Sequence, residues 1–186
     1  MSKKNIWVFH HYATPPTMSG MARPYNFGVN ASQYGYDVEV FAASYLHYTG
    51  ENLIDNKDLY LENKDSEIPF IFLNTPSYGS NGVKRVQNMI SYYRKLFRIS
   101  KIKAKKGERP DFIIASSPHP LAMVAGIKIS RKFKVPCICE IRDFWPEVFF
   151  TGGKLKKNSL IGRVLVAGEK WIYENSDALI FLKEGD

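Results

Sequence analysis

Cysteine is scarce: 186 residues hold two, Cys137 and Cys139. They stand two apart on a predicted strand and so share a face. Adjacent same-face residues of one extended strand do not bridge without buckling the backbone. Both therefore read as reduced and buried, which suits a cytosolic address. Long apolar runs are missing too, and none approaches the ~20 residues that span a bilayer. The start, Met1-Ser2-Lys3-Lys4-Asn5, leads straight into a strand and reads as lacking a signal peptide. There is no Gly-x-Gly-x-x-Gly, which disfavours a nicotinamide or flavin enzyme. No internal repeat, low-complexity tract or base-reading motif is present, and the last point disfavours nucleic acid as a partner.

What is there suits one large domain. The length supports a core able to fold alone. Hydrophobic residues make up 45% and charged residues 24%, ordinary proportions for a globular chain. The formal net charge is +8, which admits nucleic acid, anionic lipid or a phosphorylated ligand as partners.

Apolar runs alternate with amphipathic ones. Strands are expected at Asn5–His10, Asp37–Ala42, Ile68–Leu73, Phe112–Ser116, Val135–Ile141 and Ala178–Leu182. Helices are expected at Arg23–Tyr34, closed by Gly35, and at Val83–Lys106, Leu121–Phe133 and Leu160–Asn175. Tyr48–Glu67 is polar and reads as a long insertion or loop. In the longest helix, Val83, Val86, Ile90, Tyr93 and Phe97 form a stripe expected to face the sheet. This order predicts a Rossmann-like three-layer α/β/α domain with a parallel sheet of six to seven strands.

In such a sheet ligands bind beyond the carboxyl ends of the strands. Three loops converge there. The first, Thr14 to Arg23, includes Ser19 and Gly20 and precedes a helix whose free amides can receive a phosphate or sugar hydroxyl; it reads equally as a plain Pro-rich connection. The second is Ser117-Pro118-His119-Pro120, where His119 is either a site residue or a turn histidine. The third begins Arg142-Asp143. These two could pair with each other, or Asp143 could cap a helix. Their place favours a polar ligand for at least one of them. Trp145-Pro146 reads as a packed turn, and Glu147 as a first-turn helix acid or a ligand contact.

Acidic residues are nearly absent from Val83–Arg109. Ten lysines and arginines stand against Glu108 alone, a local charge of +9 that exceeds the total of the whole chain. A solvated helix face is one reading. Tyr92, Tyr93, Leu96, Phe97, Ile99 and Ile102 interleave with the cations, which also suits an interfacial helix on anionic lipid. Arg94, Lys95, Arg98 and Lys101 are the candidate lipid contacts, beside a Tyr92/Ile99 flank.

Several segments resemble one enzyme family: Pro15-Pro16 through Gly20 and Arg23, Gly35–Val40, Ser116-Ser117-Pro118, Glu140–Glu147, and Glu169–Tyr173 leading to Ser176-Asp177-Ala178. Arg142-Asp143-Phe144-Trp145-Pro146-Glu147 is the most specific of these. The chain resembles the N-terminal, acceptor-side domain of GT-B glycosyltransferases of retaining family 4, of the fucosamine-transferase type that builds capsule or O-antigen. The resemblance spans nearly all of residues 1–186. It implies a nucleotide-sugar donor and a lipid-linked or oligosaccharide acceptor. It implies chemistry without metal or other cofactor, on the cytoplasmic face of the membrane. It places Asp143 at the reacting sugar or acceptor hydroxyl, and Ser19, Gly20, Arg23, His119, Arg142 and Glu147 at donor or acceptor. Ser19 stands where relatives usually carry a second glycine. The donor domain, with its Glu-x7-Glu motif, is expected to lie outside this chain, leaving these residues inactive alone. The alternatives are a non-catalytic membrane- or partner-binding module, half of a split transferase, or a nucleotide-binding protein of another Rossmann class.

Overall fold

A computed structural model describes residues 3–79, 82–143, 145–153 and 155–182. The chain's first two residues, Phe144 of the third loop and the closing Lys183-Glu184-Gly185-Asp186 lie outside this set. The elements run β1 (Lys4–Phe9), α1 (Arg23–Gln33), β2 (Tyr36–Ala43), β3 (Tyr60–Asn63), β4 (Phe70–Leu73), α2 (Val83–Lys105), β5 (Phe112–Ser116), α3 (Pro120–Phe133), β6 (Cys137–Ile141), α4 (Glu147–Thr151), α5 (Leu160–Asn175) and β7 (Ala178–Phe181).

The strands form one sheet in the order β3-β4-β2-β1-β5-β6-β7. All neighbouring pairs are parallel except β3 with β4, where Tyr60 lies opposite Leu73. The six expected strands are present. The seventh, β3, lies inside the stretch expected to be a loop. Its sequence, Tyr-Leu-Glu-Asn, is short and polar because it is an edge strand with only one neighbour. Sequence order reverses between β1 and β5, since β2 and β4 build outward on one side and β6 and β7 on the other.

Both faces of the sheet carry a core. Trp7, Phe9, Phe41, Ile71 and Leu73 meet α2, α3 and α5 on one face. Val8, Val40, Phe70 and Phe72 meet α1 on the other. Gly126 lets α3 lie close on β5, because a Cβ there would stand 2.6 Å from the Cβ of Ala115. Cys137 and Cys139 are both free and buried, as expected.

The buried face of α2 differs from the expected stripe. Val83, Val86 and Ile90 are 75%, 52% and 37% exposed, while Tyr92, Leu96 and Ile99 are fully buried. The face turned to the sheet also carries Asn88, Ser100 and Lys103. Their polar groups are satisfied there: Ser100 Oγ donates to Leu96 O, and Lys103 Nζ pairs with Glu39 and Glu108. Burial of Tyr92, Leu96 and Ile99 is worth roughly 1.5–3 kcal/mol per side chain, enough to set the helix orientation. Tyr92 and Ile99 are therefore core residues rather than a lipid-facing flank.

Candidate functional site

The carboxyl ends of the parallel strands β1, β5 and β6 share one rim, at the reversal of strand order where open α/β sheets bind ligands. The loops bearing Gly20, His119 and Asp143 all leave from this rim.

The first loop closes on itself. Thr14 N donates to Met21 O at 3.2 Å, and a Cβ on Gly20 would stand 2.4 Å from Thr14 Oγ1, so only glycine fits. Ser19 and Gly20 are exposed. Arg23, first residue of α1, reaches across the rim, and its Nε donates to Glu140 Oε1 at 2.8 Å. The other oxygen of Glu140 accepts from Ser116 Oγ at 2.5 Å. One carboxylate at the end of β6 thus ties α1 to β5.

His119 is the N-cap residue of α3 and is buried. It lies beneath the rim, in a cluster of three imidazoles. Its Nε2 is 2.7 Å from Nδ1 of His11, whose Nε2 is 2.6 Å from Oδ1 of Asn88. His10 Nε2 accepts from Arg142 Nη1 at 3.1 Å. Burial lowers the pKa of His10 to about 3, helped by the Arg142 guanidinium, and that of His119 to about 3, helped by the field of His10. Burial also holds His11 well below the ordinary range. The cluster is neutral at pH 7.

Arg142 is also anchored through its backbone, its N–H donating to Ser117 Oγ at 2.9 Å. Its side chain turns to His10, not to Asp143. Asp143 caps no helix either, since Pro146 is the N-cap of α4. Asp143 is exposed, and its carboxylate has no ion-pair partner among the described residues. Neither simpler reading of Asp143 holds, and its carboxylate faces solvent. It lines a cleft of about 220 Å³ between the rim and α5, together with Leu121, Trp145, Val164, Glu169 and Tyr173. The Trp145-Pro146 peptide is cis. Tyr173 Oη donates to Glu169 Oε1 at 2.9 Å, and burial raises the pKa of Glu169. Glu147 is exposed at the start of the five-residue α4.

The geometry therefore gathers Arg23, Arg142 and Asp143 on one rim, with His119 buried beneath it and Ser19, Gly20 and Glu147 at its surface. No group of three metal-ligating side chains occurs among the described residues. Sequence reasoning missed His10, His11 and Asn88. The signal was two adjacent histidines directly after a strand that points at the rim.

On α2, Arg94, Arg98 and Lys101 are exposed. Lys95 differs: its ammonium donates to the carbonyl of Asn74, and burial lowers its pKa.

The chain is similar to solved structures of glycosyltransferase architecture. It superimposes on sucrose-phosphate synthase from Thermosynechococcus elongatus at a TM-score of 0.59 and 14% identity, covering 97% of this chain and 77% of that one. For MurG of Acinetobacter baumannii the TM-score is 0.52 at 12% identity, over 97% of this chain and 42% of that one. For Os79 of O. sativa, solved with UDP, it is 0.51 at 11% identity, over 95% and 46%. The chain thus spans less than half the length of the last two. Comparison with curated protein sequences found no match. The family model described as "Glycosyl transferase 4-like domain" matches residues 30–185, which includes Arg142 and Asp143 but begins after the Gly20 loop. The chain belongs to the glycosyl transferase 4-like domain family and has the Rossmann-like half of a GT-B fold.

Proposed function

We propose that this chain is the acceptor-side domain of a retaining glycosyltransferase. The enzyme would move a sugar from a nucleotide-sugar donor to a lipid-linked or oligosaccharide glycan in bacterial surface-polysaccharide synthesis of the capsule or O-antigen type. The observation that carries this is Asp143: an exposed carboxylate on the carboxyl rim, unpaired with its neighbour Arg142, at an apolar cleft. A carboxylate there stabilises positive charge developing at a sugar carbon, or takes the proton of an attacking hydroxyl. Arg23 and Arg142 supply positive charge near donor phosphates, and the Ser19-Gly20 backbone gives a close approach. His119 braces this site from below, and Glu147 flanks it. No metal or other cofactor is assigned a step.

Most of the nucleotide contacts belong to a second domain outside residues 1–186. Os79 was solved with UDP, which supports a uridine nucleotide as the first donor class to try. Calorimetry with the 186-residue chain should detect only weak binding of UDP-sugars. Micromolar affinity, or turnover by this chain alone, contradicts the division of labour. In a chain that carries both domains, Asp143→Asn should lower kcat at least a hundredfold, within the range of general acid–base catalysis. Near-normal turnover removes Asp143 from the chemistry.

A membrane-bound acceptor calls for a protein that sits at the cytoplasmic membrane surface. Among the described residues no helix is long and apolar enough to cross a membrane. The exposed side of α2 supports peripheral docking: Val83, Val86 and Ile90 lead along the helix into Arg94, Arg98 and Lys101. Each cation near an anionic surface adds roughly 1 kcal/mol. Vesicle co-sedimentation should be strong with anionic lipid at low salt and lost at high salt. Equal binding to neutral vesicles, or no loss on changing Arg94, Arg98 and Lys101 to Glu, rules docking out.

A further inference from the structure

The three imidazoles beneath the rim carry a proton inventory that their hydrogen bonds settle. Asn88 Nδ2 donates to the carbonyl of Pro76 at 2.7 Å. A carbonyl only accepts, so the amide nitrogen must face Pro76 and Oδ1 must face His11. Oδ1 only accepts, so His11 carries a proton on Nε2. His11 is buried and neutral, which leaves its Nδ1 bare. The group 2.7 Å from that nitrogen, His119 Nε2, is therefore a donor. His119 is neutral as well, and its single proton is committed there. Its Nδ1 is left as a lone pair, buried and without a hydrogen-bond partner in the structure. As the N-cap of the 14-residue α3, His119 also sits at the positive pole of a helix, which disfavours protonation of the ring. His10 has the opposite polarity. Arg142 can only donate, so His10 Nε2 accepts and the proton lies on Nδ1, which is likewise buried and unpartnered.

We infer that Asn88 and His11 are positioning residues that lock His119 with its proton on Nε2, so that its bare Nδ1 takes an O–H donor and excludes a carbonyl or phosphate oxygen. A buried orphan acceptor is costly, and such groups in folded proteins find a partner. Two sources supply an O–H at this depth. One is an internal water bound in the free chain. The other is a hydroxyl of the carbohydrate substrate, and this source alone rests on the transferase reading of the rim.

Nitrogen-15 NMR of the 186-residue chain at pH 7 reads the proton inventory directly. The chain has only four histidines, so each ring can be assigned by substitution. The expected spectrum shows His11 and His119 with protonated Nε2 and bare Nδ1, and His10 with the reverse. A His119 ring protonated on Nδ1 overturns the inference. Cross-relaxation between solvent and the His119 ring distinguishes the sources: a signal assigns a bound water, and its absence leaves the sugar hydroxyl. His11→Phe keeps a ring against Tyr92 but removes the acceptor for His119 Nε2. It should convert the single His119 tautomer into a mixture, as should Asn88→Leu one step further back. An unchanged His119 tautomer in both folded variants overturns the positioning role. If neither variant folds, the wild-type spectrum still decides, and a failure of the transferase reading would leave that spectrum unmoved.

Discussion

The two wings of the sheet, on either side of the reversal between β1 and β5, are finished to different degrees. On one wing, β4 is buried at all four positions and β2 at its last four. On the other, β7 has no fully buried residue, and in α5 only Gly162 and Ile172 are buried. Leu160, Ile161 and Val164 of α5 are exposed, as are Ile180 and Phe181 of the last strand and Leu182 just after it. Parallel strands normally have both faces covered, so the β7 wing is the unusual one. The comparison teaches that folding energy and functional surface are separated here. The closed wing and the central strands β1, β5 and β6 supply the core. The rim residues stand at the boundary, and the open wing borders the cleft that Asp143 lines.

The largest expected effect tests that separation. Phe72→Ala in β4 should cost about 3–5 kcal/mol of unfolding free energy, the usual range for a fully buried aromatic. Phe181→Ala in β7 should cost less, about 1–2 kcal/mol, since 36% of that residue already stands in solvent. Urea unfolding of the two variants measures both, and equal losses would erase the distinction between wings.

Acid should act through the boundary. The folded pKa of His10 and His119 is lowered to about 3 from an ordinary 6.5. A depressed folded value means that the unfolded chain binds more protons, so the stabilisation is complete above pH 6.5 and is lost as pH falls toward 3. Between pH 6.5 and 5 the loss should be about 2 kcal/mol per histidine, an order-of-magnitude figure. His11 adds in the same direction. Urea midpoints at pH 7.5 and 5.0 should differ accordingly, and His119→Phe should flatten the dependence. A midpoint independent of pH would contradict the buried, neutral cluster.

A smaller loss is expected at Gly126→Val, where the new side chain meets Ala115. Overpacking of this kind costs about 1–3 kcal/mol, and thermal unfolding would show it. The smallest effect belongs to the open wing. Ile161→Ser should change stability by no more than about 0.5 kcal/mol, as surface substitutions do. It should also reduce the binding of a hydrophobic dye. A large destabilisation would mean that the open wing carries folding energy after all.

Most of the fold could be read from punctuation in the chain. Pro110-Asp111 breaks the helical pattern just before β5, and the run Leu160–Asn175 delimits α5. The expected bounds of both elements match the structure. The errors lie where polarity and burial part company. The edge strand β3 pairs on one side only and needs no apolar alternation. The buried face of α2 includes Asn88 and Lys103, so a search for apolar letters chose a face rotated toward solvent. The site was partly legible, because Arg142 and Asp143 follow an unmistakable buried strand. That Arg142 turns to His10 was not, since the pairing joins residues 132 positions apart.

The carboxylate of Glu140 has a mechanical consequence. It grips Arg23 with one oxygen and Ser116 with the other, at the end of the strand that leads into Asp143. A guanidinium and a hydroxyl on separate segments are thus fastened to a single bolt. The helix that follows the Gly20 loop and the strand that leads into Asp143 are thereby joined through side chains, in addition to the sheet's own backbone ladder.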